Sequence, residues 1–263
     1  MIKELIVDWY SYPLLLVAGF VSGFVNTLAG SGSAVTLPVL IFLGLPAHIA
    51  NGTNRVAIVL QNVSGVWTFR QRGALDLRGA MWLSVPAVLG SALGAQVSLR
   101  LDEATMRQVI GVVMLMMCVI ILLRPSRWLH GAVESMATHP NWKHMLLFFL
   151  IGMYGGFIQV GVGIFLLAGL VLGIGYDVVR ANAVKVAVVL AFTLVALAVF
   201  VLNGRVQWRE GLILAVGSMA GAWVGARFAV EKGALWVRRL LIAIVLFSAA
   251  HLLGVSELLA RLW

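Results

Sequence analysis

Long apolar stretches alternate with short polar ones along most of the chain. Eight apolar segments stand out: Pro13–Leu43, Ala47–Phe69, Gly79–Leu99 and Met106–Leu123, then His144–Leu172, Val178–Leu202, Gly211–Ala229 and Leu235–Gly254. Most approach the roughly 20 helical residues that cross about 30 Å of hydrocarbon. The runs are continuous rather than alternating, which predicts helices and not a barrel. The pattern then repeats. At a spacing near 131 residues, Gly19, Gly23, Asn26, Gly30 and Gly32 correspond to Gly152, Gly156, Gln159, Gly161 and Gly163. After a one-residue gap Arg55-Val-Ala57 matches Lys185-Val-Ala187, and Gly73, Arg78, Gly90, Gly94 and Arg107 match Gly204, Arg209, Gly221, Gly225 and Arg238.

The fold class is therefore all-α integral membrane protein, built as two tandem pseudo-symmetric four-segment repeats. The divisions are an N-terminal segment 1–12, a first repeat 13–123, a linker 124–143, a second repeat 144–254 and a tail 255–263. The first segment of each repeat is anomalous. Pro13–Leu43 is about 31 residues, long for one span and short for two, and Ala29-Gly-Ser-Gly-Ser33 interrupts it. The second-half partner of this break is Gly161-Val-Gly163. Each such helix either crosses with a kink or re-enters; re-entry leaves three crossings per half and makes the repeats inverted. Unwound backbone at membrane depth is tolerated where it is buried in protein or lines a cavity, so both breaks are expected to line a pathway.

Composition agrees with a bilayer and narrows the chemistry. Apolar residues are 62% and charged ones 11%. The net charge of +9 does not mark a nucleic-acid protein, because the arginines sit beside span ends, as topology-setting charge does. Cys118 is alone within a span, so no disulfide framework is expected. The N-terminus, with Glu4 and Asp8 beside Lys3, does not read as a signal peptide. The histidines lack metal-ligand spacing; His48 reads as a turn residue, and His130, His139 and His144 as interfacial. Nothing resembles a nucleophile–base pair or a P-loop, so neither enzymatic activity, a catalytic residue, a metal nor a cofactor is expected.

The polar positions inside spans carry the chemistry. Pro46-Ala-His-Ile-Ala-Asn-Gly-Thr-Asn-Arg55 opens a helix that places Arg55 about 13 Å along its axis. Asn51, Arg55 and Asn62 share one face, flanked by Asn54 and Gln61. In the second half Asp177-Val-Val-Arg-Ala-Asn-Ala-Val-Lys185 puts Lys185 at the matching depth, with Asn182 one turn earlier. The acids, by contrast, fall in termini, loops or span ends. Buried cations without buried carboxylates point to an anion brought from outside. The candidate substrate-binding residues are Asn26, Gly30, Ser31, Gly32, Ser33, Asn51, Thr53, Asn54, Arg55, Asn62, Gln159, Gly161, Gly163, Asn182 and Lys185, with Arg55 as main charge and Lys185 as its partner.

Gly19-Phe-Val-Ser-Gly-Phe24, the glycine-rich break, Leu37-Pro-Val-Leu40, Ala50-Asn-Gly-Thr-Asn-Arg-Val-Ala57, Arg72-Gly-Ala-Leu-Asp76 and its echo Asn203-Gly-Arg-Val-Gln-Trp208 resemble the sulfite exporter TauE/SafE family. The resemblance covers nearly the whole chain. It implies a multi-pass transporter of the bacterial inner membrane that moves a sulfur-containing anion, with Gly30, Gly32, Asn51, Thr53 and Arg55 at motif positions. Ser31 interrupts the usual triple-glycine run. The expectation is a secondary transporter of sulfite or an organosulfonate that works by alternating access. A passive anion channel and a carrier of a carboxylate or another oxyanion stand as alternatives. The expected partners are a small anion and membrane lipid. A coupling proton or ion and a second copy of the chain are further candidates, and nucleic acid is not expected.

Overall fold

A computed structural model describes residues 11–123 and 141–228. The expected last segment Leu235–Gly254, the tail, most of the linker and most of the N-terminal segment lie outside the described residues, as do His130, His139 and Arg238. Within them the chain is all helical: α1 Ser11–Ala29, α2 Ser33–Phe42, α3 Ala47–Gln71, α4 Leu77–Arg100, α5 Glu103–Leu123, α6 Trp142–Phe157, α7 Val162–Ala168, α8 Val178–Leu202 and α9 Trp208–Phe228. A π-helical turn, Gly169–Ile174, continues α7. Among the described residues three helices are long and apolar enough to cross a membrane: Leu77–Arg100, Glu103–Ile120 and Val178–Leu202. α3 is as long as α8, but its polar stripe lowers its hydropathy.

Local chemistry sets the boundaries. Asp76 caps α4 by accepting from Gly79 N at 2.9 Å, and Asp177 caps α8 through Val179 N and Arg180 N, both at 3.0 Å. Pro46 precedes α3 without a capping side chain, so Glu103 supplies the acceptor from a distance: its two oxygens lie 2.8 and 2.9 Å from Ala47 N. Carboxylates at these helix starts also meet the positive end of the helix dipole. α6 begins at Trp142, two residues inside the expected linker, because Asn141 forms a capping box with His144. His144 Nε2 then lies 3.1 Å from Gly173 O, which makes it a tie between α6 and the end of the π-helical turn.

Both anomalous segments are broken. Between α1 and α2 Gly30 takes φ +71, and between α6 and α7 Gly161 takes φ +72. A side chain at such angles costs about 1–2 kcal/mol, which explains glycine at these two hinges. α2 lies along α3, with Thr36 Oγ1 donating to Asn54 Oδ1 at 2.6 Å, and a short turn then leads into α3.

The helices fall into two groups of opposite direction. Along α1 and α9 the contacts advance together: Gly19 meets Leu214, and Gly23 meets Ser218 and Ala222. α3 runs with α9, since Gly52 packs on Arg205 O and Gly211 on Val56. In the other group Gly152 and Gly156 of α6 meet Ala87 and Ser91 of α4, and Ser91 Oγ donates to Phe192 O of α8 at 2.9 Å. The groups oppose each other at the α3–α8 contact, where Gly52 lies by Phe200 and Gly65 by Val186. Small residues at these seams let backbones approach closely, which is how helices associate where lipid supplies no hydrophobic drive. Buried Leu37, Leu40, Met114, Met117 and Leu214 fill one core, and Leu83, Phe148, Leu166, Val188 and Phe192 the other. Cys118 packs in the first of these and is a buried free thiol.

Candidate functional site

The two breaks meet. Carbons of Gly163 lie 3.2 and 3.4 Å from where a side chain on Gly30 would project, and a methyl at Gly163 would stand 2.5 Å from Gly30 O. Beside this contact is a cavity of ≈ 20 Å³. Asn26, Gly30, Gly32 and Ser33 line it from the first break, and Gln159 and Gly163 from the second. α3 adds Asn62 and Gln61, and α8 adds Lys185. Lys185 is the one charged side chain among the described residues that line it. Its Nζ donates to Asn182 Oδ1 at 2.8 Å.

Eight of the sequence-derived candidates thus converge on one small volume. Five lining residues are not among those candidates: Ser22, Ile58, Gln61, Val162 and Val189. Ser22 stands one helical turn before Asn26, so the four-residue spacing on α1 is the signal that locates it. The walls are orderly. Asn26 Oδ1 lies 3.5 Å from Gly32 N inside the break, Asn62 Nδ2 donates to Ile58 O at 2.7 Å, and Gln159 Nε2 donates to Thr193 Oγ1 at 2.8 Å.

Arg55 is fully buried and does not line this cavity. Its Nη1 donates to Gly155 O and Gln159 Oε1, each at 3.1 Å; its Nη2 donates to Gly156 O at 2.6 Å and Asn51 Oδ1 at 3.4 Å. Its guanidinium carbon sits 4.8 Å from the centre of the Phe200 ring. Asn51 Nδ2 adds a bond to Phe157 O at 2.8 Å. Three successive carbonyls at the C-terminal end of α6 are therefore satisfied by one face of α3. A helix that stops at a break leaves such carbonyls without intrahelical partners, and a guanidinium fork suits two of them at once. Of the Arg55 nitrogens, Nε alone lacks a partner among the described residues.

The remaining candidates surround this arrangement. Asn54 is engaged by Thr36, and Thr53 Oγ1 accepts from Gln207 N at 2.9 Å. Ser31 is buried in the first break, and its hydroxyl has no partner among the described residues. Gly161 forms the second hinge against Met117. His48, read as a turn residue, is buried in the first turn of α3. No group of three or more His, Cys, Asp or Glu among the described residues could hold a metal ion.

The sulfite exporter TauE/SafE family model matches residues 15–252. This chain belongs to that family. Among its relatives is the probable membrane transporter protein ORF9 of Sinorhizobium sp., 28% identical over 250 residues, which cover 95% of each chain. Another is a probable membrane transporter protein of Haemophilus influenzae, 26% identical over 244 residues, covering 91% of this chain and 93% of that one. The probable membrane transporter protein YfcA of Escherichia coli K12 is 25% identical over 245 residues, 92% of this chain and 90% of YfcA. No solved structure matches. Membership of TauE/SafE, a family of membrane transporters, agrees with the apolar helices and makes this a membrane protein.

The glycine contact between the breaks yields a direct test. Gly163→Ala forces the two breaks apart, since its methyl meets Gly30 main chain on three atoms. The cavity then enlarges and loses its fixed walls. The expected result is an assembled, membrane-inserted protein whose transport activity falls at least about tenfold, equivalent to ~1.4 kcal/mol of lost positioning.

Proposed function

We propose that this chain is a multi-pass inner-membrane secondary transporter of a small anion, of the sulfite or organosulfonate class. One observation carries the reading: two helix breaks from different halves abut at Gly30 and Gly163 and border a polar cavity with Lys185 on its wall. The cation attracts the anion, and Asn26, Asn62, Gln61 and Gln159 offer neutral hydrogen bonds. The N-terminal end of α2 at Ser33 adds the positive end of a helix dipole.

The two halves are read as inverted repeats. Under the sequence correspondence α1, α3 and α4 pair with α6, α8 and α9. The paired helices run in opposite directions, which is what a pseudo-two-fold axis in the membrane plane requires. The seams support this: Gly19 and Gly23 pack on α9 as Gly152 and Gly156 pack on α4. In this reading α1–α2 and α6–α7 are re-entrant hairpins whose tips meet at the substrate site.

A volume of ≈ 20 Å³ suits about one water and not a four-atom oxyanion. Substrate therefore enters only when the halves separate on one side, the motion that alternating access needs. Arg55 takes part by holding the end of α6 and Gln159, not by touching the anion. A proteoliposome uptake screen with sulfite, sulfate, thiosulfate, taurine and sulfoacetate tests the proposal. The expected result is saturable uptake of at least one sulfur oxyanion, inhibited by the others that bind. Unitary ionic currents without saturation, or uptake of none, overturn it.

A further inference from the structure

The halves are tied together at each end of the cavity, and the two ties differ in kind. At one end the loop between α8 and α9 lies on α3: Gln207 N donates to Thr53 Oγ1 at 2.9 Å, and Gly52 packs on Arg205 O. At the other end the Tyr176 hydroxyl donates to Asp76 Oδ2 at 2.6 Å, joining the turn before α8 to the start of α4. Asp76 and Gln207 hold equivalent places in the repeat, three residues after Gly73 and Gly204. The first tie uses a main-chain donor, so its release requires the loop to move. The second uses two side chains and opens by rotation of bonds in one of them.

Several features suit the second tie to holding and letting go. Tyr176 is buried, yet its ring hangs from a loop residue that follows Gly175 at φ +88. Gly79 leaves room for its hydroxyl, because a methyl there would overlap both the hydroxyl and the Asp76 carboxylate. Burial works against the charge on Asp76. The Gly79 N–H, the Tyr176 hydroxyl, the Arg78 N–H and the Arg180 charge outweigh it, so the carboxyl is held below its ordinary range. Burial and the nearby carboxylate together push the phenol well up. The bond thus joins a neutral donor to an ionised acceptor, the stronger kind of hydrogen bond. From Asp177 the helix α8 reaches Lys185 in about 12 Å, and Gly65 packs on Val186 just past it.

We propose that the Tyr176–Asp76 hydrogen bond is a releasable latch that closes one end of the path to the Lys185 cavity. The inference rests on the transport reading above and deepens it by naming the gate. The test needs no anion, so its outcome is separable from that of the uptake screen. A Val189→Cys reporter at the cavity, in a Cys118→Ala background, is labelled by a small water-soluble thiol reagent applied to either face of oriented vesicles. Tyr176→Phe removes the donor and leaves the Asp76 cap intact. The expected result is labelling about tenfold faster from the face that carries the α3–α4 loop, with the rate from the opposite face unchanged. Asp76→Asn keeps a good helix cap while weakening the acceptor, and it gives the same one-sided acceleration. Unchanged labelling in both variants overturns the latch. Equal acceleration from both faces also overturns it, since that reports general loosening of the fold.

Discussion

Replacing Lys185 with glutamine is expected to lower the initial rate of anion uptake about ten- to hundredfold while the protein still folds and inserts. The argument starts from position. Lys185 lines the cavity where the breaks meet and is 5% exposed. An ammonium in such surroundings is destabilised by loss of hydration, and an entering anion removes that penalty. A hydrogen bond to a charged group is worth about 1.5–3 kcal/mol, which corresponds to roughly ten- to hundredfold in rate or affinity. Glutamine keeps much of the stem and can still donate to Asn182, so the cavity wall it shares with Val189 and Val162 survives. Removing a buried charge does not by itself weaken the fold. Lys185→Arg separates charge from fit: it restores the charge but brings a longer fork into a cavity of ≈ 20 Å³, so it recovers only part of the rate. Concentration dependence of uptake, measured alongside thermal unfolding in detergent, checks the prediction. Wild-type kinetics in Lys185→Gln would remove the role assigned to this lysine.

What could be read from residue order alone follows physical lines. A glycine-rich interruption within a long apolar run has few meanings, and both hinges are legible for that reason: Gly30 and Gly161 each take left-handed backbone. The polar stripe on α3 was legible through helical periodicity, which placed Asn62 at the cavity and Gln61 beside it. Arg55 and Lys185 are equivalent by position, and the sequence distinguishes them only as fork and point charge. The structure separates them because α6 stops beside α3 and turns three main-chain carbonyls towards it. Main-chain acceptors are common to every residue type, so no side chain near position 155 announces a partner for Arg55. Nor does residue order reveal direction. Whether the first segment of each half crosses or turns back depends on which helices touch. Contacts such as Gly23 with Ser218 and Thr36 with Asn54 are what support the reading that it turns back.

The anchoring role proposed for Arg55 has a measurable consequence that differs in kind from that of Lys185. Arg55→Met lowers the stability of the folded protein by about 3 kcal/mol or more, because it leaves the carbonyls of Gly155 and Gly156 buried without donors and frees Gln159. The loss is not simply one of charge. Arg55→Lys keeps the charge, yet a single ammonium on a flexible stem cannot serve two successive carbonyls, the Gln159 amide and the Phe200 ring together. The expected order of thermal midpoints in detergent is wild type, then Arg55→Lys, then Arg55→Met, with transport falling in the same order. A residue that only bound anion would behave otherwise: its neutral variant would melt at or above the wild-type midpoint and would lose only the stabilisation that added anion confers. The variants can therefore be read by one comparison. If Arg55→Met melts like wild type in the absence of anion yet no longer responds to sulfite, the guanidinium belongs to the substrate after all. If its midpoint falls without anion while the surviving folded fraction still gains stability from sulfite, Arg55 holds the second break in place and the anion is met by Lys185.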